Sequence, residues 1–338
     1  MPINSHLYSI HPWVDFDAKW LRDLAWLLLS PPLFTCELSG FKAFTPHDDK
    51  SEIYDWLKQL ELTGHACETA PPQPTDYRRL GLYFEALLRF FFIQGRHDGI
   101  CQYRLIANNI PIYRNKITLG EMDFVLEDKN SDIIHLETAV KFYLYCDKSN
   151  LPSVENTPPS WHHWIGPNAR DRLDIKLARM ISHQLALPSK TESQKTLDDL
   201  NTDPTSIQSQ HLICGRLYRP LFANEALPEH SNHDAITGNW LHIQNAEKLL
   251  QFKDYQWVVL EKMDWLNGET RNTHQFTSPE ILHWLKQLAN ATLPETSTTK
   301  NPHKHWLPRI PLQLVGHDLS TNQQQAIMIV NEHWPNTI

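Results

Sequence analysis

A chain of 338 residues with 41% hydrophobic content can bury a substantial core, as one large domain or two ordinary ones. Its formal net charge of −8 argues against a protein that coats nucleic acid non-specifically, yet allows an enzyme that meets nucleic acid through a local basic stripe or a metal. Eleven glycines against 23 prolines, with no G-x-G-x-x-G and no G-x-x-x-x-G-K-[ST], speak against a glycine-loop nucleotide binder, so no nucleotide cofactor is expected. The five cysteines are scattered and form no C-x-x-C, which indicates neither a disulfide framework nor a zinc ribbon and fits a reducing compartment. The opening MPINSHLYSIHPW lacks the basic region and apolar core of a signal peptide, and Leu24 to Leu29 is far too short to span a bilayer. The expectation is a soluble, cytoplasmic protein that does not engage a membrane.

In chain order, residues 13 to 35 read as a helix: Trp13, Phe16, Trp20, Leu24 and Leu27 or Leu28 recur at helical spacing, and Ser30-Pro31-Pro32 stops it. KSEIYDWLKQLE, residues 50 to 61, suggests a second helix with Ser51 as its cap, followed by a proline-rich connection over 66 to 76. Residues 1–70 thus form a helical elaboration without evident chemistry. A third helix opens near Thr75, with Leu80, Phe84, Leu87, Leu88 and Phe91 as its apolar stripe. Glu85 lies off the centre of that stripe, one turn before Arg89. QYRLIANNIPIYRNKITLG then reads as one strand and a turn.

The stretch from Gly120 to Leu144 reads as a β-hairpin. Met122 to Leu126 (MDFVL) and Ile133 to Tyr145 (IIHLETAVKFYLY) are rich in strand-preferring residues, and the polar EDKNSD joins them. Asp123 interrupts the first apolar run; Glu137 and Lys141 interrupt the second. Period-two alternation puts Glu137, Ala139 and Lys141 on one face. The near-continuous apolar runs imply burial on both faces, which sets these acids apart from the ordinary polar face of a hairpin.

Residues 147 to 167 form a loop with lid character, in which His162 and His163, flanked by tryptophans, either touch substrate or pack locally. In the helix NARDRLDIKLARMISHQL, Leu173, Leu177, Met180, Ile181 and Gln184 line one side. Arg172, Lys176, Arg179 and His183 line another, either as a weak nucleic-acid contact or as a solvated face. Residues 186 to 206 read as an exposed connection, and QHLICGRLYRPLF as a further strand. The section 221–338 reads as an α+β extension, with a short helix SPEILHWLKQL and the strands RIPLQLV and QAIMIV. Six of the twelve tryptophans (Trp240, Trp257, Trp265, Trp284, Trp306, Trp334) fall in this last third, where stacking on bases competes with ordinary core packing.

An Asp on one strand, then a Glu and a Lys on the next strand of a hairpin, resembles the PD-(D/E)XK phosphodiesterase superfamily. The phrase HLETAVKFYL, with GPNARDRLDIKLARMISHQL downstream, is also similar to a bacterial family known only as a domain of unknown function, over most of the chain. The first resemblance implies an α/β (α+β) fold: a restriction-endonuclease-like core of α-β-β-β-α-β order across residues 71–220. It implies a phosphodiesterase of DNA or RNA using Mg²⁺ or Mn²⁺, with Asp123 and Glu137 as metal ligands, Lys141 as electrostatic partner, and Glu85 as the helix-borne acid aimed at the metal. An i,i+4 pair with Arg89 is the alternative for Glu85. Two carboxylates suit Mg²⁺ because it takes oxygen ligands and keeps several water positions open. The superfamily places its lysine two residues after the acid, about 6.6 Å along a strand, whereas Lys141 is four residues on, about 13 Å away on the same face. Either Lys141 leans back, or Lys176 takes the role. The other reading is a nuclease-fold protein that binds nucleic acid or acts as a scaffold without turnover.

Overall fold

The computed structural model describes residues 11–63, 67–147, 153–203, 206–269, 273–292, 310–321 and 323–335. The absence of a signal peptide was read mainly on residues 1–10, part of the expected lid on 148–152, and one tryptophan is Trp306; these lie outside the described residues. The secondary structure is mixed α/β. The helices are α1 (Lys19–Leu29), α2 (Lys50–Leu62), α3 (Leu80–Phe90), α4 (Leu173–Arg179), α5 (Thr191–Asp199) and α6 (Ser278–Thr292). The strands are β1 (Lys42–Ala43), β2 (Arg104–Arg114), β3 (Ile117–Glu127), β4 (Ile133–Tyr145), β5 (Trp164–Ile165), β6 (Gln208–Pro220), β7 (Thr237–His242), β8 (Tyr255–Leu260), β9 (Phe276–Thr277), β10 (Leu312–Asp318) and β11 (Gln324–Val330).

These elements fall into two compact units that interleave along the chain. The first comprises residues 1–141, 174–215 and 229–236; the second comprises 142–173, 216–228 and 237–338. In the first, the sheet order is β2-β3-β4-β6, with β1 parallel to β6. β2 and β3 turn through Asn115 and Lys116, both at positive φ, the geometry of a two-residue hairpin loop. Helices α1, α2 and α3 pack together. Tyr83 of α3 donates its hydroxyl to Asp23 of α1 at 2.9 Å, and the Trp20 and Phe90 rings meet edge to face at 5.3 Å. Phe92, in the π turn that prolongs α3 (Phe91–Gly95), meets Phe124 of β3 in the same manner.

In the second unit, the C-terminal end of β6 begins the order β6-β7-β11-β10-β8-β9. β6–β7 and β7–β11 are parallel, and the remaining pairs antiparallel. Its core gathers Leu249, Trp257, Ile281, Leu285, Leu288, Leu314, Ile327 and Ile329. Trp257 donates its indole N–H to Ser278, the first residue of α6, at 2.8 Å. Trp240, Trp257, Trp265 and Trp334 are all buried, which makes them core residues.

Several expectations are corrected. The segment read as one helix over 13 to 35 is a 3₁₀ turn at Pro12–Asp15 and then α1. Asp49, not Ser51, caps α2, accepting from the backbone N–H groups of Ser51 and Glu52. The third helix begins at Leu80, five residues after Thr75, because a 3₁₀ turn at Pro74–Asp76 occupies the expected start. The supposed exposed connection holds α5, which buries Ser193 and Leu197 and joins a core with Ile110 and Ile112 of β2. None of the five cysteines is disulfide-bonded.

Candidate functional site on the central hairpin

The β3–β4 ladder runs from Glu127↔Ile133 to Phe124↔Leu136, so Asp123 and Glu137 are the next residues in register, opposite each other and on one face. Here Thr138 turns both its backbone N–H and its hydroxyl to Asp123 Oδ2, at 2.8 and 2.9 Å. A side chain of β3 thus takes up a backbone donor of β4.

On the other side of β3, Asn109 of β2 falls between the paired residues Asn108↔Phe124 and Ile110↔Met122, and therefore opposite Asp123. It sits at φ +51, a left-handed conformation that asparagine tolerates better than most residues. Its amide donates to Glu85 Oε2 of α3 and to Glu121 Oε1 of β3, both at 3.1 Å. Glu121 shares the face of Asp123 by alternation, so four acids gather: Glu85, Glu121, Asp123 and Glu137.

Their environment shifts them in one direction. Burial first, then Asp123, Glu85 and Glu121, push the Glu137 carboxyl up to about 9, while Lys176 pulls against them. Glu85 is pushed up to about 7 by burial and by Asp123, with the Asn109 bond opposing. Asp123 is also raised, mainly by burial, against the two Thr138 bonds and Lys176. Glu137 is 1% exposed. Its Oε1 accepts from Gln184, whose own carbonyl accepts from Lys176 Nζ at 2.8 Å. Its Oε2 is buried without a hydrogen-bond partner among the described residues. The nearest ring nitrogen, His135 Nε2, lies 3.9 Å away. Burial holds that imidazole neutral, down at about 3, and its Nδ1 faces Ser209 Oγ at 3.0 Å, so the contact is no ion pair.

The structure therefore brings Asp123, Glu137, Glu85 and Lys176 together. Lys176 is a lysine whose charge acts on both central carboxylates. The expected basic stripe does not form on one helix face. Arg172 precedes α4, bridging to Ile165, and belongs to the other unit. Arg179 is exposed at the end of α4. His183 lies in a π turn (Met180–Gln184), whose extra residue breaks the helical spacing. That π turn also carries Gln184. His162 and His163 belong to the second unit, where a 3₁₀ turn beside buried Trp161 and Trp164 ties His163 to Cys146 through a 2.8 Å backbone bond. This is local packing.

Glu121, Asn109 and Thr138 escaped the sequence reading, and Gln184 was read only as lining one side of its helix. Alternation from Asp123 would have found Glu121; nothing local marks the other three. Among the described residues, no three His, Cys, Asp or Glu side chains already stand at ligand spacing for one ion. The donor set nonetheless suits a hard cation: carboxylate oxygens only, one of them buried and unpartnered.

Fold and site together define a mixed α/β protein with a carboxylate cluster around one buried glutamate, Glu137, where two antiparallel strands meet a helix pair. The chain belongs to the family described as domain of unknown function DUF1853, whose profile matches residues 22–309. No curated protein and no solved structure matches it. No helix among the described residues is long and apolar enough to cross a membrane.

Proposed function

We propose that this protein is a divalent-metal-dependent phosphodiesterase acting on DNA or RNA, with its site at Asp123 and Glu137. The observation that carries the reading is the buried, unpartnered Glu137 Oε2 beside three further acids, with Lys176 as the opposing charge. Buried like charges are costly unless protonated or bound to a cation. The order α3, β2, β3, β4, α4, β6, interrupted by β5 and α5, supports a restriction-endonuclease-like core. The left-handed Asn109 adds support, since such backbone conformations cluster at functional sites.

Asp123 and Glu137 would hold Mg²⁺ or Mn²⁺, with Glu85 and Glu121 raising the local negative charge. The ion, when bound, would lower the pKa of water and offset charge on a phosphoryl oxygen. Thr138 fixes Asp123 by binding Oδ2. Gln184 orients both Glu137 and Lys176, which places an ammonium beside the carboxylates to meet a phosphate charge. Asn109 holds Glu85 toward the cluster.

A second reading, nucleic-acid binding without turnover, is favoured by the Gln184 bridge, which already engages both Glu137 Oε1 and Lys176 Nζ. Calorimetric titration with Mn²⁺ and a gel cleavage assay separate the two. Wild type should bind Mn²⁺, and Asp123→Asn or Glu137→Gln should weaken binding at least about tenfold, the scale of a lost charged ligand. Nucleic acid bound in Ca²⁺ but never cut in Mn²⁺ would leave the binding reading. No Mn²⁺ binding even with an oligonucleotide present, and no cleavage, would remove the phosphodiesterase.

A further inference from the structure

The second unit contains a different unmatched group. Arg216 and Tyr218 are two residues apart on β6 and so share a face. The Tyr218 ring lies against β7, where a Cβ at Gly238 would meet its ring carbons at 2.8 and 2.9 Å. The Tyr218 hydroxyl donates to Gln313 Oε1 of β10 at 2.8 Å, a wholly buried bond. That bond commits the amide carbonyl and turns the Gln313 NH₂ the other way, where Nε2 is buried without a partner among the described residues. Arg216 is 5% exposed, and its Nε and Nη1 are likewise buried and unpartnered. None of the ion pairs among the described residues includes it.

These donors converge on one turn. Gly268, at φ +75, faces Arg216 Nη2 and Nη1 at 3.5 and 3.6 Å and Gln313 Nε2 at 3.9 Å, measured from where a Cβ would stand. A Cβ there would stand in ordinary van der Waals contact with the guanidinium, so the turn packs closely over it. Every unmatched polar atom in the group is a donor, and a buried guanidinium keeps its charge. Water would satisfy hydrogen bonds but not the charge, whereas an oxyanion satisfies both, and the planar fork of arginine matches its geometry.

We infer that Arg216, Gln313 and the Gly268 turn form a buried site for a phosphate-sized oxyanion. It belongs to the second unit, whereas the carboxylate cluster, which attracts charge of the opposite sign, belongs to the first. Its occupant is either free inorganic phosphate or the terminal phosphate of a nucleotide.

The test is scanning calorimetry of the whole chain, dialysed into chloride, at constant ionic strength. Sodium phosphate and adenosine monophosphate are added in parallel arms. Wild type should gain about 3 °C in Tm at roughly tenfold excess of phosphate over its Kd. A larger gain with the nucleotide assigns the site to a nucleotide phosphate; a gain with phosphate alone assigns it to the free ion. Arg216→Met should abolish the gain. Should that variant fail to fold, Gln313→Glu places a carboxylate beside Arg216, and should raise Tm in chloride and respond to neither ligand. The inference is overturned if wild type responds to neither beyond chloride, or if the variant gains as much from them as wild type does.

Discussion

At Glu137, near-complete burial coincides with three neighbouring acids, and its protonation is therefore linked to folding. Its carboxyl is pushed up to about 9 and that of Glu85 to about 7, both from an ordinary value of 4.5. Between the ordinary and raised values the unfolded chain binds fewer protons than the native one, so stability falls as pH rises through that window. Buried, neutral His135 and His211 add stability as pH rises toward 6.5 and oppose the carboxyls there, so without divalent ions urea midpoints should drop from pH 7 to pH 9. Glu137→Gln should flatten the profile and exceed wild type above pH 7. A midpoint that stays level across that window would mean that Glu137 is already ionised in the native state at pH 7. With Mn²⁺ present the trend should weaken or reverse, since the ligand must be deprotonated to bind. Lys176 supplies the second expectation at this scale. If it meets the phosphate charge, Lys176→Ala should lower kcat about 10²–10³-fold while leaving the Kd for nucleic acid within a few-fold. Lys141→Ala should stay near wild type. A deep loss in Lys141→Ala with a mild Lys176→Ala would return the role to the strand.

Among the elements, the two short helical stretches after β5 show how little local pattern a packed segment needs. α5 buries only Ser193 and Leu197 in nine residues, and Leu197 reaches Ile110 and Ile112 of β2. Leu197→Ala should cost about 2–5 kcal/mol in chemical denaturation, the range for emptying a buried leucine site. A cost under about 1 kcal/mol would show that the helix is as loosely held as its polar composition suggested. β6 makes a tighter demand. Gly215 stands at φ +147, and a Cβ there would lie 1.7 Å from the carbonyl oxygen of Lys141. That oxygen is backbone and cannot swing aside, so Gly215→Ala should be recovered, if at all, without native near-UV circular dichroism.

Across the whole molecule, the two units are each assembled from separated stretches, so neither can be excised as one contiguous piece. A fragment of residues 71–220 would keep the hairpin and β6 but lose α1 and the segment 229–236 from the same unit. It would strip Tyr83 of its bond to Asp23 and Phe90 of its contact with Trp20. It would also remove the bond by which the Asn232 amide donates to the Pro32 carbonyl. The expected result is a fragment with helical far-UV signal but no fixed tertiary packing, as judged by near-UV circular dichroism and amide dispersion. A well-dispersed, cooperatively unfolding fragment would show that the core needs neither stretch.

Alternation along a strand is a local property. MDFVL and IIHLETAVKFYLY were therefore enough to place Asp123 and Glu137 in opposed strands on one face, and β4 runs over the residues read for it. The same local logic reaches Glu121, two residues before Asp123. It stops where a side chain's neighbour comes from a distant part of the chain. Whether Lys141 or Lys176 faces the acids depends on how α4 lies against β3 and β4. The π turn that delivers Gln184 depends on one extra residue in a helix whose apolar spacing looked regular. Asn109 became a clamp only because β2 pairs with β3 in a register that sets it across from Asp123. Arg216 falls in the segment QHLICGRLYRPLF, read only as a strand. Its unpartnered Nε and Nη1 arise from β6, β10 and the Gly268 turn meeting in space, and no spacing within one segment encodes that meeting.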